Sequence, residues 1–296
     1  MTALHTEPHR HPPDLGRILR ENLTDAVALL DRRPLSDRAV HGVRKDLKHA
    51  RAMLRLMRAG LGETKYHRAN TVLRDVAREL SAVRDSKVLL DTLGDFPQRD
   101  AIVEMQVRLR KEHILAREQL QTEVSAAKRA RETLRAFGHA FREGPKDRCD
   151  WPVVQRGLQR VYAQARTAFL LARRHPTAET LHELRKQTKY LWHQLQTLAA
   201  TRPLQRPLIA ATHRLSDLLG GEHDLVTLRT RALGIAMRGG ARKWLLAHID
   251  ARSARLREQT MRLAERIYQD PPAVFAAHAL HGTVRRAVRR PPSTSF

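Results

Sequence analysis

Apolar residues recur at three- and four-residue intervals almost from end to end of this chain, and almost nowhere do they alternate. That spacing puts them on one side of an α-helix, whereas a half-buried strand needs a period of two. No run of β-branched residues and no Asn-Gly or Asp-Gly hairpin turn offers an alternative. The chain is therefore all-α. The periodicity predicts helices near 14–31, 37–59, 64–93, 97–143, 151–174, 178–199, 204–237 and 240–268, with a weaker one over 272–288. Asp14, Ser36 and Thr177 stand where N-caps belong. Breaks fall at Arg33-Pro34, Gly60 to Gly62, Phe96-Pro97, Gly144-Pro145, His175-Pro176, Arg202-Pro203 and Gly239-Gly240.

The stretch 144–150 combines Gly, Pro and charge, and it leaves four expected helices on either side. Val40-His41-Gly42-Val43-Arg44-Lys45 matches Leu181-His182-Glu183-Leu184-Arg185-Lys186. Leu80 to Asp85 (LSAVRD) matches Leu219 to Asp224 (LGGEHD) at almost the same offset. Two matches at one offset point to internal duplication. The expected organisation is a leader over 1–13, a four-helix half over 14–143, a linker over 144–150, a second half over 151–270, and a final helix with a basic tail over 271–296.

Charge sharpens the picture. The 296 residues hold 55 Lys and Arg against 31 Asp and Glu, a formal net charge of +24. Self-repulsion of this size opposes compaction unless anionic partners offset it. The helix after Ser36 shows where an anion could lie. His41, Arg44, Lys48, Arg51 and Arg55 fall within an arc of roughly 80° at 3.6 residues per turn. Val43, Leu47, Ala50, Leu54 and Leu61 form the neighbouring core stripe. Asp46 is the one acid between Val40 and Leu61, so the usual i,i+4 ion pairs of a solvated helix are missing. The matching helix of the second half carries His182, Arg185, Lys186, Lys189 and His193 beside a core side of Leu181, Leu184, Leu191, Leu195 and Leu198. Trp192 and Gln196 take the places of Arg51 and Arg55, so the first half is expected to make more anion contacts from this helix.

Weaker basic ladders recur elsewhere: Lys128, Arg131, Arg135 and Arg142; Arg156, Arg160 and Arg166; Arg252, Arg255, Arg262 and Arg266. Arg forks and Lys point charges suit phosphate oxygens. His41 and His182, one turn before an arginine, read as donors to phosphate or as histidines satisfied by a neighbouring helix. Asp85 and Asp224 follow Arg84 and His223 and read as acids that orient basic side chains rather than catalyse.

The repeated His-x-x-Arg-Lys helix, followed by a helix ending in Arg-Asp or His-Asp, resembles the CHAD family, the conserved-histidine α-helical domain. His41, Arg44, Lys48, Arg51, Arg55 and LSAVRDSKVLL (80–90) carry the resemblance in the first half. In the second half it rests on LHELRKQTKYL (181–191) and on LGGEHDLVTL (219–228). It covers about 15–270 and implies two four-helix bundles related by a pseudo-twofold axis. A basic groove or pore between them would hold inorganic polyphosphate, and such proteins associate with polyphosphate granules. Residues expected to contact the anion are His41, Arg44, Lys45, Lys48, Arg51, Arg55, Arg84, Lys128, Arg131, Arg135, Arg160, Arg166, His182, Arg185, Lys186, Lys189, His193, His223, Arg255 and Arg262. The Glu-x-Glu-x-Lys strand motif of a CYTH triphosphatase domain is absent, so the chain reads as a stand-alone member.

Other classes fare worse. There is no P-loop, no His-Glu-x-x-His, and no clustered carboxylates for Mg²⁺, so neither an enzyme nor a metal or cofactor site is expected. Aromatics are only 4% of residues, which disfavours single-stranded nucleic acid; non-specific nucleic-acid binding and a granule-coat role remain alternatives. One cysteine, Cys149, permits no disulfide within the chain. The first 13 residues lack an apolar signal-like core and no long apolar run exists, so a cytoplasmic protein with no membrane span is expected. Oligomeric state is not legible.

Overall fold

The computed structural model describes residues 11–97, 99–122, 126–141, 149–201, 206–237 and 240–281. Arg142, the basic tail, and most of the leader and of the 144–150 linker lie outside these. The described residues form eleven helices and no strand. They are α1 (Leu15–Leu30), α2 (Asp37–Leu61), α3 (Glu63–Glu79), α4 (Ser81–Gly94), α5 (Asp100–Gln121), α6 (Ala126–Ala140), α7 (Trp151–Arg174), α8 (Ala178–Leu198), α9 (Arg206–Gly234), α10 (Ala241–Ile267) and α11 (Pro272–His281).

The caps read from sequence form. Asp14 accepts from the Arg17 amide, Ser36 from Ala39, and Thr177 from Thr180 within a capping box. Asp150 caps α7 in the same way by accepting from Val153. Two expected helices are broken, however. The helix over 64–93 divides at Leu80, whose φ/ψ of −92°/9° leaves the α region. The helix over 97–143 ends at Gln121, before an extended Thr122. No Gly or Pro marks either place, because tertiary packing directs the breaks. α3 lies on α2 and α6, while α4 leaves that layer to pack on α5 and α9.

The first bundle closes as α1–α2–α3–α6, and the second as α7–α8–α9–α10 with α11 laid on α7. Both are joined through α2, which packs on α7 and α8. One continuous apolar cluster runs through both bundles, from Leu15 and Leu47 to Leu191 and Tyr268. A second cluster joins α4 and α5 to α9 and α10 through Leu93, Met105, Leu225 and Ile249. The tightest junction is at Gly157 of α7. A Cβ there would stand 2.3 Å from the Leu56 carbonyl oxygen of α2 and 2.6 Å from its Cα. Only glycine allows backbones so close.

Candidate anion-binding site

The core stripes of α2 and α8 are buried as their spacing requires, with Val43, Leu47, Ala50 and Leu54 set against Leu184, Leu191, Leu195 and Leu198. Burying those stripes turns the adjacent basic stripes toward each other. Arg44 and Lys48 of α2, Arg185 and Lys189 of α8, and Arg84 of α4 come within electrostatic reach of one another. α9 supplies His223 and Asp224, and α4 adds Asp85. Asp217 of α9 lies within reach of Lys189, so five cations gather with three carboxylates.

Arg84 is the centre of the acid contacts. Its Nη1 donates to Asp85 Oδ1 at 3.1 Å, and its Nη2 lies 3.6 Å from Asp224 Oδ1. Arg44 donates from Nη1 to the Ala77 carbonyl, which leaves its buried Nε without a hydrogen-bond acceptor. Opposite Arg185, α9 carries Gly220, where an added Cβ would be 3.9 Å from the guanidinium Nε.

Burial dominates the electrostatics, and the crowd of like charges adds to it. Lys48 is pushed down to about 7, first by burial and then by Arg185, Arg44, Arg84 and Lys189. Burial likewise pulls Arg44, Arg185 and Lys189 below their ordinary values. His41 and His182 are lowered by burial and neighbouring cations, and His223 falls to about 4 for the same reasons. All three rings are therefore neutral near pH 7. Asp224 is raised because burial outweighs the attraction of Arg84 and Arg185. Among the described residues no group of three or more His, Cys, Asp or Glu is placed to hold a metal ion.

A family model described as "CHAD domain" matches residues 17–233, which include every residue of this cluster. The chain belongs to the CHAD domain family. Among solved structures it is similar to the crystal structure of the CHAD domain from the plant Ricinus communis. The TM-score is 0.54 at 18% identity, over 93% of this chain and 91% of that chain. At that identity the likeness shows the shared all-α fold alone. No curated protein matches the chain.

The CHAD fold gathers some of the basic residues singled out from sequence and disperses others. His41, Arg44, Lys48, Arg84, Arg185, Lys189, His182 and His223 meet at the cluster, with Lys45 exposed at its edge. The His182 and His223 rings lie 4.9 Å apart. Arg51 and Arg55 turn away: Arg51 Nε and Arg55 Nη1 donate to Asn70 Oδ1 at 3.0 and 3.2 Å, and the Arg55 guanidinium sits 3.7 Å from the Tyr190 ring centroid. The heavier share expected of α2 rested on those two arginines. In the structure α2 and α8 bring two cations each. Lys186 pairs with Glu183 on its own helix.

The other ladders do not join the cluster. Arg131 and Arg135 close on Asp31 at the end of α1, at 3.4 and 2.8 Å. Arg160 reaches Glu63 at 3.2 Å. Arg166 Nε donates to the Tyr268 carbonyl at the end of α10. Arg255 bonds the Ala251 carbonyl, Arg262 pairs with Glu258, and Lys128 is an exposed residue of α6. Their spacing is that of the cluster helices, but nearby acids and carbonyls take up their donors.

His193 also departs from its expected role. It is buried against His49 with ring centroids 5.2 Å apart, and burial drives its basicity down to about 2. It is a neutral core residue at the α2–α8 contact. His49 bridges Asn22 at 3.0 Å and Thr197 at 2.8 Å, tying α1 to α8 through α2. Sequence reasoning missed His49, Asn70 and Tyr190. It also missed a chain next to the cluster: Ser86 Oγ lies 2.8 Å from His113 Nδ1, and His113 Nε2 lies 3.0 Å from Asp37 Oδ2. That chain fixes α4, and with it Arg84 and Asp85, against α5 and the first turn of α2. The signal available was a histidine on the apolar side of its helix.

Proposed function

We propose that the cluster where α2, α4, α8 and α9 meet binds inorganic polyphosphate without chemical turnover, and that this binding places the protein at polyphosphate granules. The carrying observation is the charge imbalance there. Arg44, Lys48, Arg84, Arg185 and Lys189 share a half-buried space with fewer carboxylates, Asp85 and Asp224 at its centre and Asp217 beside Lys189. Lys48 is held near 7, first by burial and then by its cationic neighbours, so its charged form is disfavoured without an anion. Phosphate oxygens supply the missing negative charge and accept from guanidinium and ammonium donors. The family's known association with polyphosphate supports the same ligand.

The test is a competition titration of long-chain polyphosphate against duplex DNA at about 150 mM salt, where weak non-specific binding fades. Polyphosphate is expected to win, and preference for DNA would refute the reading. Incubation with polyphosphate or a nucleoside triphosphate and Mg²⁺ is expected to give no phosphate release. Measurable turnover would make the protein an enzyme instead.

A further inference from the structure

The cations of the cluster differ in what holds them. Arg44 donates to the Ala77 carbonyl and Arg84 to Asp85. Lys189 has no hydrogen bond or ion pair among the described residues. Its ammonium lies instead over the ring of Trp192, 4.3 Å from the centroid. Asp217 attracts it only from beyond ion-pair distance. Over the ring the ammonium is still within electrostatic reach of Arg185, and of Lys48 on α2.

Trp192 stands one turn beyond Lys189 on α8 and is half-buried. Its own place is fixed from two sides. The His193 ring lies 4.5 Å away at the α2–α8 contact, and the His213 ring of α9 lies 4.4 Å away. His213 is held in turn by Asp217, Nδ1 to Oδ2 at 3.3 Å. The indole is therefore a firm shelf at the side of the cluster.

We propose that Trp192 is a positioning residue of the cationic cluster, whose ring keeps the Lys189 ammonium where the bound anion meets it. That role rests on the anion-binding reading given above. A lysine stem has four carbons of rotational freedom, and repulsion from Arg185, Lys45 and Lys48 favours any rotamer that carries the ammonium out to water. A carboxylate would hold it but cancel its charge. The face of an indole attracts a cation and leaves the charge in place. A side chain already held costs less ordering when the anion binds. On α2 the residue three places beyond Lys48 is Arg51, which has no ring to offer and donates to Asn70. At 192 the basic stripe gives up one cation and gains a fixed neighbour.

Isothermal titration with long-chain polyphosphate tests this. Lys189→Met should weaken binding about tenfold. Trp192→Met, which fills much of the space without a ring, should weaken it about fivefold, and Trp192→Phe, which keeps a ring, by less than about twofold. Added to Lys189→Met, Trp192→Met should cost less than about twofold more, because a residue that acts through Lys189 has nothing left to act on. Losses that multiply independently would leave Trp192 a packing residue and overturn the proposal. So would a Phe variant as weak as the Met variant, or a Lys189→Met protein that binds as the wild type does. The wild type gives a second reading that no misfolded variant can obscure. Protons above an indole face resonate upfield, so the Lys189 ε-methylene should be shifted upfield in lysine-labelled protein, absent from the Lys189→Met spectrum, and still shifted with polyphosphate bound. An unshifted ε-methylene, or one that loses its shift on binding, overturns the proposal. A wild type that binds no polyphosphate sinks the function proposed above and this role with it. A wild type that binds but is indifferent to Trp192→Met sinks this role alone.

Discussion

On α6, Arg131 and Arg135 stand four residues apart and close on the single carboxylate of Asp31. On α2, Arg44 and Lys48 also stand four residues apart, but they face Arg84, Arg185 and Lys189. The two pairs look alike in sequence and differ in what the fold sets opposite them. Surface pairs such as those at Asp31 are worth about 0–1 kcal/mol, and there the cations meet an acid that offsets their charge. The half-buried cations between α2 and α8 cannot pair with one another, and on the proposed reading an outside anion supplies the missing charge, with Lys48, held near 7, regaining its proton as it binds. On the proposed reading, net charge attracts the polyanion and the local balance of acids decides where it binds.

The sharpest way to break the contrast is charge reversal on both sides of it. Arg44→Glu with Arg185→Glu should lower polyphosphate affinity by about a hundredfold or more, since it swaps two central attractions for repulsions. Arg131→Glu with Arg135→Glu adds the same charge change at Asp31 and should cost no more than about threefold. Isothermal titration of the two variants side by side checks this. Equal losses would mean that only net charge matters.

A second test uses pH. Lys48 is held near 7 in the free protein, and a bound anion favours its charged form. Binding therefore takes up a proton above pH 7, and affinity should fall by up to about tenfold per pH unit as pH rises from there. Lys48→Arg should flatten the profile, because arginine stays protonated. Titrations at pH 6.5, 7.5 and 8.5 decide the matter.

Stability should move the opposite way from binding. The folded-state value of Lys48 lies below the ordinary 10.5, so the unfolded chain holds more protons between about 7 and 10.5. The penalty is in full force below 7 and lifts as pH rises through that window. Lys48→Met should raise stability at pH 7 by about 1 kcal/mol while weakening polyphosphate binding. Arg135→Ala should lower stability slightly and leave binding alone. Chemical denaturation of both variants reads this crossing.

The smallest effect concerns the far end of α2. Arg51 and Arg55 are engaged by Asn70 and Tyr190. Replacing both with alanine should change polyphosphate affinity by no more than about threefold and destabilise the fold by about 1 kcal/mol. A loss as large as that of the Arg44 and Arg185 variant would return the anion track to the full length of α2.

This contrast also shows how far the sequence could be read. The all-α class, the caps at Asp14, Ser36 and Thr177, and the core stripes of α2 and α8 follow from local periodicity and capping chemistry, which neighbouring residues determine. His41, Arg44 and Arg185 could be singled out because two matching stretches of sequence, 40–45 and 181–186, carry them. The break at Leu80 could not, because it answers to α9, more than a hundred residues away. Arg131 and Arg51 share the spacing of Arg44. Only the positions of Asp31 and Asn70, set by tertiary packing, separate them. His193 looked like a ligand because it continues a basic stripe, yet it lies one residue round the helix from Trp192 and faces His49 inside.

The close approach of Gly157 to Leu56 bears on how a ligand enters. The walls of the cationic cluster come from opposite halves of the chain, an arrangement that elsewhere lets two lobes open like jaws. Here the lobes are fused backbone to backbone, and one apolar core runs through the seam. If the cluster binds an anion as proposed, the cradle is built before that anion arrives. Capture should then proceed in one kinetic step, with a rate set by long-range attraction and slowed by salt, and no lobe closure to wait for.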